Sequence, residues 1–212
     1  MKKNEKLKTQ RIYDLLLSVY GPQKCFLVHS SPFELLVATV LSAQCTDKMV
    51  NQVTPELFRR WPTPQKLALA DEKELEEVIH PCGFYHAKGK NLRALAAKLV
   101  QDFQGKVPET MEELTSLPGV GRKTANVVLG DALGLPGLPV DTHVFRLARR
   151  MGLSKGNTPE QVEQDLCNAL EPALWREFSH LLIMHGRTRC SARKPDCGIC
   201  EAAALCGKHG AK

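Results

Sequence analysis

The run from Leu35 to Ala43, LLVATVLSA, is apolar on every side of a helix, and such a helix is stable only when other elements surround it. The residues ahead of it, Ser31-Pro32-Phe33-Glu34, specify its start. Ser31 caps, Pro32 takes the first helical position, and Glu34 closes a capping box. Further helices are expected at 47–61, where Pro62 and Pro64 end the run, then at 71–80, 88–103 and 110–116, the last with a second capping box of Thr110 and Glu113. Others follow at 122–133, from Asp141, at 159–170 and at 172–185, with Gly and Pro breaking the chain at 134–139. Strand patterns are nearly absent, so the fold class is all-α.

The basic start MKKNEKLKTQ reads as the beginning of a first helix. The apolar run after it is only LLL, broken by Asp14 and Ser18, which argues against a secretory signal. No segment approaches the ~20 apolar residues of a membrane span. With 29 Lys and Arg against 23 Asp and Glu the chain carries a formal +6, which permits a polyanionic partner without requiring one.

The eight cysteines fall into two sets. Cys25, Cys45, Cys82 and Cys167 are scattered, whereas Cys190, Cys197, Cys200 and Cys206 follow the spacing C-x6-C-x2-C-x5-C. Four thiols so close together cannot staple distant parts of a fold, and they read as a ligand set. That set suits tetrahedral zinc or an iron–sulfur cluster and does not decide between them. Arg193 and Lys194 would ride on the loop between the first two ligands, either as phosphate contacts or as solvated charges.

A second motif is LPGVGRKTANVVLG, from Leu117 to Gly130. Gly119 and Gly121 allow the positive backbone angles of a tight turn, and their missing side chains let an anion reach the amides around Gly119, Val120, Gly121 and Arg122. The turn joins helix 110–116 to helix 122–133. It is either a plain connection or a helix-hairpin-helix, which grips a nucleic-acid backbone without reading bases. Lys123 is then one more contact to that anion, or an amine nucleophile.

LPGVG followed by Lys123, then VDTH from Val140 to His143, then the cysteine terminus, together resemble the endonuclease III family of bifunctional DNA glycosylases and abasic-site lyases in the helix-hairpin-helix superfamily. SSPFELL from Ser30 and LSAQCTD from Leu41 are similar to that family as well. The resemblance implies a six-helix barrel over 25–135, with the helix-hairpin-helix at about 110–133. It implies a second helical domain from 1–24 and 136–212, carrying a 4Fe-4S cluster on Cys190, Cys197, Cys200 and Cys206 in the loop 190–206.

The activity implied is base excision repair of damaged double-stranded DNA. An oxidised pyrimidine is removed, and the strand is cut 3′ to the abasic site by β-elimination through a Schiff base on Lys123. Asp141 is implied to be the second catalytic residue, beside a plain role as a helix cap. Gln44, in LSAQCTD, and Phe84, in CGFY from Cys82 to Tyr85, are implied to fill the space left by the extruded base. Family members often carry leucine where Phe84 stands, and a core aromatic at a helix end is the other reading of that residue. Gly119, Val120, Gly121, Arg122, Arg193 and Lys194 are the remaining expected DNA contacts.

Two alternatives fit the sequence less well. An adenine DNA glycosylase generally lacks the lysine and has a further carboxy-terminal domain, and a noncatalytic iron–sulfur DNA-binding module would need neither Lys123 nor Asp141. The resemblance further implies a monomer, with no membrane partner, acting in the cytoplasm at the nucleoid of a prokaryotic-type cell without a targeting segment.

Overall fold

The computed structural model describes residues 3–210, and among these every regular element is helical. The chain divides into two compact units, Cys25–Leu135 and the paired segments Met1–Lys24 and Pro136–Lys212. Among the described residues no helix is long and apolar enough to cross a membrane.

The unit Cys25–Leu135 is built around α2, Pro32–Leu41, in which Phe33 and every residue from Leu35 to Leu41 is buried. Around it stand α3 (Asp47–Arg60), α4 (Pro64–Ala68), α5 (Glu72–Ile79), α6 (Tyr85–Phe103), α7 (Met111–Thr115) and α8 (Arg122–Val127), which runs on into a π-helical turn at Val128–Ala132. Contacts from α3, α6, α8 and that turn enclose α2, as its apolar circumference requires. Asn51 of α3 accepts from the Val28 amide at 2.9 Å and donates to the Phe26 carbonyl at 2.9 Å, which fastens the strand of chain leading into α2.

The helix starts follow the sequence, with two differences of detail. Ser31 Oγ accepts from the Glu34 amide at 3.2 Å, but the Glu34 carboxylate closes onto Ser30, accepting from its amide at 2.7 Å and its hydroxyl at 2.8 Å. At Thr110 the hydroxyl both accepts from the Glu113 amide and donates to the Glu113 carboxylate. In each case a hydroxyl offers the carboxylate a donor that the backbone amide of the capping residue would otherwise supply. Pro64, expected to help end α3, instead opens α4, because Thr63 caps the amide of Lys66 and Pro suits a first helical turn. This five-residue helix adds a seventh to the six expected in this segment.

The other unit consists of α1 (Lys3–Tyr20), α9 (Thr142–Met151), α10 (Pro159–Ala169) and α11 (Trp175–Thr188), with a 3-10 turn at Pro172–Leu174 before the last. Buried Ile12 and Leu16 lie on one face of α1, which packs on α10 and α11. Two polar bonds tie α1 to α11, and one ties it to the end of α9. Lys8 Nζ donates to the Met151 carbonyl at 2.6 Å, the Tyr13 hydroxyl donates to Glu177 at 2.8 Å, and the Tyr20 hydroxyl pairs with His185 Nδ1 at 2.8 Å. Burial, reinforced by Glu177, pushes the Tyr13 phenol up to about 12.

Because α2 is enclosed, Leu36→Ala should lower the stability of the fold by roughly 3 kcal/mol, the usual loss for a fully buried leucine. Leu69→Ala, at a side chain 87% exposed, should change it by less than about 0.5 kcal/mol. Urea denaturation of the two variants measures the contrast.

Candidate functional site

The hairpin between α7 and α8 hangs on two apolar anchors. Leu117 and Val120 are buried, and the turn closes with the Val120 amide donating to the Leu117 carbonyl at 3.1 Å. Gly119 has φ +77°, and a Cβ there would come within 3.1 Å of Asn91 on α6. Gly121 differs. It caps α8 in an extended conformation, φ −95° and ψ 174°, and a Cβ there would meet nothing within 4 Å. The expectation that both glycines take positive angles therefore holds only at Gly119. Neither conformation nor packing requires a glycine at 121, and the space in front of its backbone is open.

That open space coincides with an uncapped helix start. Seven of the helices α2–α11 begin with a side chain accepting an amide bond, from Ser31, Thr46, Thr63, Asp71, Thr110, Asp141 and Thr158. No side-chain bond caps α6, which starts after Phe84, or α8, which starts after Gly121; α11 likewise lacks one, but it continues from a 3-10 turn. The first amides of a helix have no partner within it, and they carry the positive end of its dipole. Arg122 and Lys123 are exposed on the first turn of α8, while Ala125, Asn126 and Val127 turn inward.

Gln44 and Phe84 share an unusual backbone state. Both lie in the left-handed region, at φ +54° and +50°, which costs a residue with a side chain on the order of 1 kcal/mol. Gln44 is exposed in the short connection between α2 and α3. Phe84 is 65% exposed just before α6, so it is not the core aromatic that the sequence left open. The two connections meet. The Cys45 and Cys82 thiols lie close together, and burial together with Cys45 pushes the Cys82 thiol up to about 11, leaving it protonated and unreactive at neutral pH. Beside them Lys88, 5% exposed, donates from Nζ to the Leu41 and Cys82 carbonyls, each at 2.8 Å. Sequence reading passed over Lys88. Its signal was there, since it lies in phase with buried Leu92, Leu95, Ala96 and Leu99 on α6.

In the other unit Asp141 is the cap of α9, with Oδ1 accepting from the Val144 amide at 2.8 Å. His143 packs against Gly186, where a Cβ would come within 2.7 Å of its Nδ1. Burial holds its imidazole below the usual range, in keeping with a packing residue. Cys190, Cys197, Cys200 and Cys206 line one cavity, together with Arg150 and His185. Among the described residues no three His, Cys, Asp or Glu side chains converge where they could hold a single metal ion.

Nitrogen atoms approach three of those four sulfurs. Arg150 Nη1 donates to Cys190 Sγ at 3.3 Å, the Lys208 amide to Cys206 Sγ at 3.3 Å, and His185 Nε2 lies 3.4 Å from Cys200 Sγ. Such a shell suits anionic thiolates. Arg150 also donates to the Ser191 and Ala192 carbonyls at 2.9 and 3.1 Å, so a buried guanidinium fixes the base of the loop on which Arg193 and Lys194 are exposed. Arg150 too went unread in the sequence, although it shares a face of α9 with buried Leu147.

Residues 37–172 match the family described as HhH-GPD superfamily base excision DNA repair protein. The chain is 50% identical over 203 residues to an endonuclease III of Synechocystis sp., covering 94% of this chain and 93% of that one. Among solved structures it is similar to a non-covalent endonuclease III–DNA complex, with a TM-score of 0.91 and 40% identity over 96% of this chain and 95% of that chain. It is equally similar to a trapped endonuclease III–DNA covalent intermediate, with a TM-score of 0.91 and 40% identity over 96% of each chain.

The two hairpin glycines should respond differently to alanine. Gly119→Ala forces a side chain into the left-handed region against Asn91 and should lower stability by about 1 kcal/mol, whereas Gly121→Ala should leave the melting temperature unchanged. Thermal unfolding followed by circular dichroism distinguishes them.

Proposed function

This chain belongs to the HhH-GPD superfamily of base excision DNA repair proteins, and from that premise we propose how it works: as a monomer on damaged double-stranded DNA, removing oxidised pyrimidines and cutting the strand at the abasic sugar. The enzyme is a DNA glycosylase and abasic-site lyase. The observation that carries the residue assignment is the first turn of α8, where Lys123 is exposed behind a helix start that has no side-chain cap and open space at Gly121. A solved relative was trapped as a covalent intermediate with DNA, which supports a protein nucleophile, and Lys123 is the exposed amine at this helix start. Its place of work is the cytoplasm, at the nucleoid.

The hairpin amides of Gly119, Gly121 and Arg122 hold a backbone phosphate, the anion that an uncapped helix start favours, while the Val120 amide closes the turn onto Leu117. Arg193 and Lys194 hold further phosphates from the loop fixed by Arg150. With the damaged nucleotide rotated out of the stack, Gln44 and Phe84 occupy the gap. Both project from the surface on backbone that is already strained into place, so little ordering remains to be done on binding.

The Lys123 amine attacks C1′ of the extruded nucleotide, and the C1′–N bond to the base breaks with protonation of the departing base. The sugar ring opens to an iminium joined to Lys123 Nζ. That electron-withdrawing group makes a C2′ proton acidic, and its loss expels the 3′ phosphate and breaks the strand. Hydrolysis of the imine then frees Lys123. Asp141 holds one carboxylate oxygen in the α9 cap, and its negative charge stabilises the positive charge that develops at the sugar.

The four thiols fit a 4Fe-4S cluster. Their setting supports that group, since three of the four sulfurs meet nitrogen donors within one cavity, as sulfur ligands of a cluster do. Cys190, Cys197, Cys200 and Cys206 would be its ligands. Held there, a cluster would tie the terminal loop together, with Arg150 and the Lys208 amide already donating to Cys190 Sγ and Cys206 Sγ.

Borohydride should lock the enzyme to lesion-bearing duplex through Lys123, identified by peptide mapping. Lys123→Gln should still bind while trapping and strand cutting fall by about a thousandfold or more; Asp141→Asn should keep the fold and slow base release more than binding. A trapped adduct on a different amine, formed at the wild-type rate by Lys123→Gln, would refute the assignment.

The purified protein should be yellow-brown and hold about four iron atoms and about four sulfides per chain. A colourless protein with stoichiometric zinc would overturn the cluster assignment.

A further inference from the structure

The four carbonyls at the end of α2 can all be accounted for. Those of Ala38 and Val40 accept from the Ser42 and Ala43 amides at 2.9 and 3.4 Å, and that of Thr39 accepts from Ser42 Oγ at 2.8 Å. Leu41 has no such neighbour and accepts instead from Lys88 Nζ, 47 residues along the chain. The same ammonium reaches the Cys82 carbonyl at the end of the 3-10 turn His80–Cys82. A buried cation is costly unless it is met by hydrogen bonds, and here it is met by the negative ends of two helical segments.

The positions of those carbonyls matter more than their number. Leu41 is the last residue of α2 before the connection that carries Gln44, and Cys82 is two residues before Phe84. We infer that Lys88 is a positioning residue for base extrusion: one buried ammonium, bonded to both carbonyls, fixes the spacing between the backbone segments that present Gln44 and Phe84 to the duplex. This rests on the reading of Gln44 and Phe84 as the side chains that enter the gap.

Lys88 touches neither DNA nor the reacting sugar in this scheme. It acts through the two connections, which the Cys45–Cys82 contact also joins. A plain structural role, capping α2, would need only the Leu41 bond. The second bond couples the two segments, and a coupled pair holds its separation when one member is pushed by the duplex.

The test compares two substrates. Base release from a duplex containing thymine glycol requires extrusion; borohydride trapping on a single-stranded oligonucleotide with an abasic site does not. Lys88→Met keeps the reach of the side chain but has no donor. It should slow single-turnover base release from the duplex by about tenfold or more, the factor that one lost bond to a charged group is worth. Trapping on the single strand should stay within about twofold of wild type. A 2-aminopurine placed opposite the lesion should report slower unstacking in the same proportion, and Lys88→Arg, which keeps the cation and its donors, should restore part of the duplex rate.

Leu99→Ala, at a fully buried position farther along α6, controls for stability and should lower the melting temperature without changing the ratio of the two rates. If Lys88→Met lowered both rates in parallel, or neither, Lys88 would be structural only and the inference would fail. Gln44→Ala and Phe84→Ala separate this from the underlying reading. If both left the rate ratio unchanged, the insertion reading itself would fail, and if they lowered it while Lys88→Met did not, only the role of Lys88 would.

Discussion

Enclosing α2 on all sides is the constraint from which the rest of the unit Cys25–Leu135 follows. A helix with no wet face cannot send its terminal carbonyls to water, and an unpaired buried carbonyl costs a substantial part of a small protein's net stability. The chain meets this with a tight turn at Ser42 and Ala43 and with a lysine from α6. That lysine must lie on the inner face of α6, in phase with its leucines, and α6 must run close to the end of α2. The short connections on either side of α3 and before α6 are then confined between fixed helix ends.

The all-α class and most helix starts were legible because they depend on local chemistry. Ser31, Thr110 and Asp141 each sit where a hydroxyl or carboxylate meets the first amides of a helix. What was missed depends on context. In the sequence Pro64 reads as an end to α3 because a proline cannot continue a helix, yet the same residue suits a first turn once Thr63 caps it. The start of α6 was placed at 88, but a left-handed Phe84 lets the helix begin at Tyr85. No local propensity announces a phenylalanine in that conformation, since its cost is met by contacts elsewhere in the unit.

The same division runs through the site. The hairpin between α7 and α8 could be read from proline, glycine and the capping box of Thr110 and Glu113, and the structure shows an exposed Lys123 behind an open Gly121. Lys88 and Arg150 could not be read in that way, because a cation on an apolar stripe usually signals a long side chain reaching out to solvent. Both instead turn inward and bond to carbonyls that their own helices do not supply. Arg150 meets three successive residues, Cys190, Ser191 and Ala192, so the start of the thiol loop is ordered by the protein itself.

The strain at Gln44 and Phe84 ties these points together. A left-handed residue with a side chain persists only where its surroundings leave no cheaper conformation. Gln44 lies between the turn that closes α2 and the Thr46 cap of α3, and the Cys45 amide donates back to the Ser42 carbonyl at 3.1 Å. Phe84 lies between the Gly83 amide bond to His80 and its own carbonyl's bond from the Lys88 amide at 3.0 Å. Lys88 therefore holds Phe84 twice, through its main chain and through the ammonium on Cys82, and it holds the Gln44 connection through Leu41. A large aromatic kept 65% exposed loses the burial that would stabilise it, and a strained backbone costs more again. The strain is present with or without a partner and so drives nothing by itself, but covering the exposed ring removes apolar surface from water, and on the proposed insertion reading an unstacked base step in a duplex is what covers it.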